Sequence, residues 1–402
     1  MLSGEGYVLP EVLSTQRGVD VNEIFQLTGD LSDIYHRRLF GGWLKQYQES
    51  ALNTLLGSRW KPRDRGGIIC PRCGGKSHKR KGFRARLVKT SRGKFPFLLS
   101  QVQCTRCGRT HRPFARVLGV ALRRVLPELE EKAVSMAVKL PYAPSSKLLK
   151  ELIGETLSHE GIRKLIYRKA VEHKIKPPAD VNHSLVDSTK VKAGYKSRGM
   201  DVHLAIAVER GPEKHGRATL KKKLLHLSVG GSDLLKTTLS KISVKYLTHD
   251  GELNLKGYAQ VTQRCLWHMG HQLKHYLWRD GLPLKERGAF IDKIYGILYD
   301  RHCTLKDASI AYDKLINELR LLGLKTSAGH LVRAKREIFN YKKNPMLCFA
   351  TTSPVEREIR ELNRRTNVGA RWSPKGSEYL LKILFLKRFK QYQTLSESMH
   401  PG

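Results

Sequence analysis

The sequence predicts an α/β fold that is interrupted by a helical insertion and preceded by a cysteine-containing module and a helical region. Four apolar runs have the length and the pattern of strands: 184–187, 202–208, 222–229 and 244–250. Helical patterns follow at 258–278, at 281–345 and at 354–395. Two Cys-x2-Cys pairs lie well ahead of the first strand run. These observations favour a mixed core with separate N-terminal modules.

Shifts in composition divide the 402 residues into six predicted regions. They are N-terminal helices, the cysteine module, further helices, the first part of the core, a helical insertion and C-terminal core helices: 1–66, 67–115, 116–178, 180–280, 281–346 and 347–402. Pro62 and a pair of glycines in 61–67 predict a linker after the first region.

The charge is the most unusual property of the composition. The chain has 74 Lys and Arg against 36 Asp and Glu, a formal net charge of +38. Such a charge repels itself in a compact chain, so it indicates a polyanionic partner, with nucleic acid the leading candidate.

The same composition argues against membrane and secreted classes. No apolar run reaches the ~18–20 residues of a membrane span, and the N-terminus lacks a secretory signal pattern. Seven cysteines, four of them in pairs, suit a reducing compartment. We expect a soluble intracellular protein, cytoplasmic and nucleoid-associated in a prokaryote or nuclear in a eukaryote.

Three helical patterns fill the region before the core: 127–140, 145–153 and 157–171. Pro127 and early acids open the first, and Ser158 is a favourable N-cap for the last. The last two fit a helix-turn-helix, but an ordinary helical bundle with a basic surface fits equally well. In a helix-turn-helix, the second helix would present four cations to DNA: Arg163, Lys164, Arg168 and Lys169.

The two Cys-x2-Cys pairs are the strongest local motif. Each pair presents two thiolates from one tight turn, and two such turns complete a tetrahedral zinc site. Gly74 and Gly108 follow the pairs and suit these turns, and the segment 95–103 alternates as a strand of an intervening hairpin. This pattern predicts a zinc ribbon with a closed, structural Zn²⁺ site, rather than unrelated buried cysteines or a redox dithiol. The predicted ligands are Cys70, Cys73, Cys104 and Cys107.

A basic stretch at 76–86 separates the two pairs, and Phe83 lies among its cations. A run of charges is often only a solvated surface. On a zinc module in so basic a chain, we expect it to contact DNA phosphates. The candidate contacts are Lys79, Arg80, Lys81, Arg84 and Arg86.

Three acids are the candidate catalytic residues. Asp187 and Asp250 each end an apolar run, and Glu356 lies near the start of a helix entered through Ser-Pro. Carboxylates on strands and a packed helix can bind two Mg²⁺ or Mn²⁺ ions about 3.5–4 Å apart and support phosphoryl transfer. Each Asp alone is weak evidence, because strands often end in turns rich in Asp. Rival acids lie close by: Glu252, Glu358 and Glu361.

Glu358 is the main competitor for the third position. Two residues along a helix separate its side chain from that of Glu356 by about 200°, so only one of them can face the metals. The same helix carries arginines suited to a phosphate backbone. With two residues of the motif that follows, the candidate DNA contacts are Arg360, Arg364, Arg365, Arg371 and Trp372.

In strand, strand and helix order, Asp187, Asp250 and Glu356 resemble the DDE triad of RNase H-like transposases. Ser-x-x-Glu followed by Asn-Arg-Arg-Thr is similar to the end of mutator-like insertion-sequence transposases, which usually have Asn where Ser353 stands. The Arg-Trp-Ser-x-x-Gly stretch at 371–376 fits the same group.

Cys265-x2-His268 resembles the C(2)H signature of these transposases, which marks the start of an all-helical insertion. Without the triad, this pair would be interpreted as core packing or as part of a metal site. The resemblance covers roughly 180–390, with the N-terminal modules similar to target-specific DNA-binding parts.

The resemblance implies a DNA transposase with an RNase H-like catalytic domain that holds two Mg²⁺ ions. It implies binding to the terminal inverted repeats of a mobile element, DNA cleavage and strand transfer, and at least a dimer on double-stranded DNA. A domesticated, non-catalytic zinc-containing regulator and a nuclease on the same fold are the alternatives.

Overall fold

The chain folds as a mixed α/β protein, and the computed structural model describes residues 21–57, 67–115, 124–193, 199–214, 217–368 and 372–392. It forms two compact units. One comprises residues 1–133 and 146–158, and the other comprises 134–145 and 159–402. The predicted linker and much of the predicted region 1–66 lie outside the described residues.

The first unit begins with a long helix and continues as a small antiparallel sheet. Its elements are α1 (Val21–Leu56), β1 (His78–Thr90), β2 (Gly93–Cys104) and β3 (Thr110–His111), followed by a 3-10 turn at Pro113–Ala115. β2 lies in the centre of this sheet and pairs with both neighbours. The predicted strand at 95–103 is confirmed.

Alternation along β2 explains how α1 packs on the sheet. Phe95, Phe97 and Leu99 are buried in one cluster with Leu44 of α1, as a period of two places them on one face. The buried Gln48 amide of α1 donates to the Leu98 carbonyl at 2.8 Å and accepts from the Ser100 N–H at 2.9 Å.

Three helices follow, and all three predicted helical patterns are confirmed as elements. They are α2 (Pro127–Ala137), α3 (Tyr142–Ile153) and α4 (His159–Glu172). α2 and α3 have residues in both units, whereas α4 belongs to the second. The helix-turn-helix interpretation stays a prediction.

A five-stranded mixed sheet is the centre of the second unit. Its strands are β4 (Asp180–Val191), β5 (Met200–Lys214), β6 (Arg217–Val229), β7 (Ser243–His249) and β8 (Val261–Arg264), with α5 (Asp233–Leu239) between β6 and β7. The order is β6-β5-β4-β7-β8. The first three strands pair antiparallel, and β4, β7 and β8 pair parallel.

Two local predictions for this sheet were wrong. Residues 258–278 were predicted as helix, but Val261–Arg264 form β8 and the helix begins at Leu266. The short strand lacks apolar alternation, and its pairing with β7 defines it. β4 also continues beyond Asp187 to Val191, because the β5 hairpin pairs with its last residues.

Helices complete the second unit. α6 (Leu266–Arg279), α7 (Leu284–Tyr299), α8 (Leu305–Leu321), α9 (Lys325–Ile338) and α10 (Asn340–Lys343) share one buried cluster around Tyr312 and Leu331, which confirms the predicted helical stretch at 281–345. α11 (Ser353–Thr366) packs on β4, and α12 (Pro374–Arg388) packs on β6 and α4. None of the helices in the described part of the chain has the length and apolar character needed to cross a membrane.

Candidate functional site

Asp187 and Asp250 lie on neighbouring parallel strands. Val186 of β4 pairs with His249 of β7, so the two acids are the next residues along the same register. Adjacent strands lie about 4.8 Å apart, so the two carboxylates start from nearby backbone positions. Both are buried, with 4% and 5% of their surface exposed.

The acids repel one another electrostatically. Burial, followed by the charges of Asp250 and Glu356, raises the pKa of Asp187 from 3.8 to about 8. A carboxylate gains such a pKa when desolvation and like charges disfavour its ionised form. Asp187 and Asp250 are thus side by side on the sheet, and Glu356 of α11 is close enough to affect the pKa of Asp187; we call these three residues the acidic cluster. Among the described residues, the three carboxylates do not form a group whose oxygens all lie within 4.8 Å of one another.

No lysine or arginine in the described ranges forms an ion pair with Asp187 or Asp250. Their carboxylates accept only local backbone N–H groups, from Ser188 to Asp187 and from Glu252 to Asp250, each at 2.9 Å. Buried carboxylates without a cationic partner are costly, and a bound cation relieves that cost.

Glu356 lies in the first turn of α11, and its position depends on Thr352 at the start of that helix. The Thr352 hydroxyl donates to Glu356 Oε1 at 2.7 Å. Thr352 is fully buried, so its hydroxyl is held in one environment. The sequence analysis missed Thr352, although a hydroxyl four residues before an acid lies one helical turn from it and can reach its carboxylate.

Cys265 and His268 meet the third acid through the same threonine. Cys265 Sγ accepts the Thr352 N–H at 3.3 Å, and His268 Nδ1 lies 3.2 Å from the Thr352 hydroxyl oxygen. His268 Nδ1 is also 3.8 Å from Glu356 Oε1. Burial raises the pKa of the Cys265 thiol and lowers that of His268.

This arrangement gives the Cys-x2-His pair a physical role that its spacing did not reveal. Cys265 and His268 contact Thr352, the residue that hydrogen-bonds Glu356. The ligand atoms of Cys265, His268 and Glu356 lie within 4.8 Å of one another. The same helix, α6, reaches the second acid, because Gln272 donates to the Asp250 carbonyl at 3.0 Å. α6 thus contacts both ends of the acidic cluster.

The rival acids are placed differently. Glu358 is buried and paired with Lys222 of β6 at 2.6 Å and with Arg388 of α12. Glu361 pairs with Arg364 at 2.7 Å. Glu252 has an exposed side chain, and partial desolvation of its carboxyl group, followed by the charge of Asp250, raises its pKa.

The four paired cysteines form a cluster that could bind zinc. Their Sγ atoms lie within 4.8 Å of one another, with Cys70 to Cys107 and Cys73 to Cys104 each 3.6 Å apart. A disulfide needs about 2.05 Å, whereas the corners of a tetrahedral Zn–S4 site are about 3.8 Å apart.

Both cysteine turns are built for close approach of sulfur. The Gly74 N–H donates to the Cys70 carbonyl and the Gly108 N–H donates to the Cys104 carbonyl, each at 3.0 Å. Both glycines have positive φ, 69° and 68°, which costs glycine little. N–H groups of Arg72 and Cys73 lower the pKa of the Cys70 thiol, whereas Cys107, burial and the other thiols raise the pKa of Cys73 to about 11. The opposite shifts of the two thiols show that the cysteines of the cluster interact closely.

The cations of the hairpin flank a cleft of about 570 Å³ in the first unit. Lys79, Lys81 and Arg84 are exposed, and Arg80 instead donates to Asn53 at the end of α1. The cleft contains cations that the sequence analysis did not select, because they are dispersed along the chain. Its charged lining consists of Arg84, Arg86, Lys89, Lys94, Arg112 and Arg124.

Two predicted DNA contacts are wrong because their side chains are buried. Lys169 is 3% exposed and Arg365 is 2% exposed. Arg365 donates to the Ala137 carbonyl at 2.9 Å and stacks on Trp372 with 5.0 Å between guanidinium and ring. Both residues lie among the buried residues of their helices, Lys169 on α4 and Arg365 on α11. Their positions follow the apolar faces of these helices and not their charge.

The other predicted contacts remain candidates. Arg360 and Arg364 are exposed on α11, and Trp372 is half-buried over Arg365. On α4, Arg163 and Lys164 pair with Glu160, and Arg168 pairs with Glu172. Arg371 lies outside the described residues.

No protein-family model matches the chain, and a search of curated proteins found no match.

Proposed function

We propose that this protein is a DNA transposase of the DDE type, with an RNase H-like catalytic domain. The observation that supports this most directly is the adjacent register of Asp187 and Asp250 on two parallel strands, with the charge of Glu356 on α11 raising the pKa of Asp187. Two acids on neighbouring strands and a third on a helix, in this chain order, are the arrangement that the resemblance to mutator-like transposases implies.

The sheet supports the fold part of the proposal. If β4 to β8 are numbered 1 to 5 in chain order, their order across the sheet is 3-2-1-4-5. Strand 2 is antiparallel to strand 1, and strands 4 and 5 are parallel to strand 1. This order supports the proposal, because it is the arrangement expected of an RNase H-like domain. Helices α6 to α10 separate β8 from α11, where the resemblance places an all-helical insertion.

The acidic cluster fits divalent cations by its donor chemistry. Asp187 and Asp250 offer carboxylate oxygens, which suit Mg²⁺ or Mn²⁺, whereas Glu356 also lies within 4.8 Å of the ligand atoms of Cys265 and His268. Burial and acidic neighbours disfavour the charged form of Asp187, and a bound cation would offset this. Asp187, Asp250 and Glu356 would hold the ions. Two bound Mg²⁺ ions would supply activation of an attacking hydroxyl and stabilisation of the leaving oxygen.

The protein's own residues orient this chemistry. Thr352 holds Glu356 by a hydrogen bond, and Gln272 holds the backbone at Asp250. In the proposed reaction, water attacks the phosphodiester at the element end and releases a 3′-hydroxyl, and that hydroxyl then attacks target DNA. Because both steps are phosphoryl transfer, correct positioning supplies much of the catalysis.

The first unit would bind the ends of the element. In this proposal, the cysteine turns and the hairpin between them are a zinc ribbon that holds a structural Zn²⁺ ion. The basic cleft would contact the phosphate backbone. Two element ends require two active sites, so we propose a dimer or higher oligomer.

The test uses DNA that carries the sequences flanking the reading frame, cleaved by the purified chain with Mg²⁺ or Mn²⁺. Asp187→Asn, Asp250→Asn and Glu356→Gln should each reduce cleavage at least 100-fold while DNA binding persists. Glu361→Gln is the matched control, since that acid pairs with Arg364 on the same helix. Cleavage by the three acid variants at the normal rate would refute the proposal.

The products separate the alternatives. Joining of released 3′ ends to a second DNA molecule supports a transposase, whereas hydrolysis without joining identifies a nuclease on the same fold. Specific binding without any cleavage identifies a non-catalytic regulator.

A further inference from the structure

A row of exposed aromatic rings runs along α6 and begins at the acidic cluster. The Trp267 ring packs edge-on against His268 with 4.8 Å between centroids, and it stacks on His271 at 5.0 Å with an angle of 10°. Further along, His275 and Trp278 lie 5.5 Å apart. We call the residues Trp267, His271, His275 and Trp278 the aromatic row.

The row is exposed although its members are aromatic. Trp267 is 42% exposed and Trp278 is 57% exposed, and both histidines are exposed. The buried side of α6 is a different set of residues, which includes Met269, Leu273 and Leu277. The core therefore does not explain the row, and large apolar rings in water usually mark a binding surface.

The backbone under the row is held firmly. Tyr295 of α7 donates its hydroxyl to the Trp267 carbonyl at 2.8 Å, and its ring packs so closely on α6 that a Cβ at Gly270 would lie 2.3 Å from it. A rigid ring loses little conformational entropy when a ligand stacks on it.

Charge and length indicate the ligand. Residues 266–279 of α6 contain Lys274 and Arg279 but no acid, so the helix suits a polyanion. α6 rises by about 16 Å from Trp267 to Trp278 at 1.5 Å per residue, the length of about five nucleotides stacked at 3.4 Å. Aromatic rings beside cations are the usual platform for unpaired bases.

We propose that the aromatic row binds unpaired bases of the DNA strand whose phosphate lies at the acidic cluster. This inference rests on the proposed function, because it assigns the strand to a DNA substrate. A duplex end at the acids would have to open locally, and the row would hold the bases that leave the stack. Trp267, next to His268 and Glu356, would hold the base closest to the reacting phosphate.

The experiment measures binding of a 12-nucleotide oligothymidylate and of a duplex of the same length to the full chain, with no added divalent cation. Trp267→Ala and Trp278→Ala should each weaken single-strand binding about tenfold, as expected for loss of one stacked base, and leave duplex binding unchanged. Trp267→Phe should restore most of the affinity because it keeps a ring face.

Trp43→Ala is the matched control. Trp43 is 57% exposed and stacks on Tyr47 at 5.6 Å, but it lies on α1 of the other unit. Unchanged single-strand binding by both α6 variants, or an equal loss in Trp43→Ala, would overturn the inference. Neither readout requires cleavage, so a failure of the proposed catalysis is seen separately in the acid variants.

Discussion

Thr352 shows how a single hydroxyl can organise a site. The hydroxyl has one proton to donate, and its nearest acceptor is Glu356 Oε1 at 2.7 Å. His268 Nδ1 and Cys265 Sγ lie close to the Thr352 hydroxyl oxygen, at 3.2 Å and 3.3 Å. Hydrogen bonds to a charged group are worth about 1.5–3 kcal/mol. The arrangement ties the Cys-x2-His pair to the orientation of the third acid.

We therefore expect Thr352→Val to lower the rate of DNA cleavage about 10- to 100-fold, since the loss of about 1.5–3 kcal/mol falls on the oriented carboxylate. DNA affinity should stay unchanged. Single-turnover cleavage at saturating protein is the measurement, and Thr352→Ser should restore the rate because it keeps the hydroxyl.

Thr351→Val serves as the neighbouring control, since the Thr351 hydroxyl contacts Ser353 and not the acids. Equal rates for Thr352→Val and the unchanged protein would show that Glu356 needs no support from this residue.

At the residue scale, the helix angle between Glu356 and Glu358 was sufficient to predict that only one of them faces Asp187 and Asp250. Which one does so was decided by packing. Glu358 is buried between Lys222 of β6 and Arg388 of α12, and neither partner is near it in sequence. Its burial with two cations gives it a structural role, connecting α11 to its neighbours.

At the scale of elements, the cysteine turns and the hairpin between them form one unit of structure. His78 pairs with Cys104 across β1 and β2, so the second cysteine turn begins where the hairpin ends. Closing both turns on one ion would hold the two ends of the hairpin together. Metal binding and local folding are then one process.

The full chain should contain one zinc ion per molecule. Atomic emission spectroscopy of the protein in metal-free buffer measures this content. Replacing Cys70 and Cys104 with Ser should remove the zinc and expose the hairpin to proteolysis, because each turn loses one of its two thiolates.

Cys303→Ser and Cys348→Ser are the controls, because these free cysteines lie outside the cluster. A zinc content that survives loss of Cys70 and Cys104 would place the ion elsewhere.

On the scale of the whole molecule, the cations behind the net charge of +38 have different roles. Some cations are internal supports, such as the buried Arg365 and Lys169. Others flank the basic cleft of the first unit, where Arg84, Arg112 and Arg124 come from separate parts of the chain. The second group is available to phosphates.

DNA affinity should consequently fall steeply with salt, because each phosphate contact releases counterions. Arg84→Ala and Arg112→Ala should each reduce the slope of log affinity against log salt by about 1, measured by anisotropy from low to physiological salt.

Lys293→Ala is the comparison, since Lys293 pairs with Glu318 at 2.5 Å in the helical stretch. An identical drop in slope for Lys293→Ala would mean that the effect reflects net charge and not the cleft.

By itself, the sequence predicted the candidate ligand residues and much of the local structure. Short-range patterns predicted the sulfur ligands, the main strands, the helices and the three acids, because residue type, turn preference and periodicity act over a few residues. Tertiary structure alone decided which acids meet, which arginines are buried and how Cys265 reaches Glu356. Those outcomes depend on strand register and packing between distant segments, which residue order does not reveal without the fold.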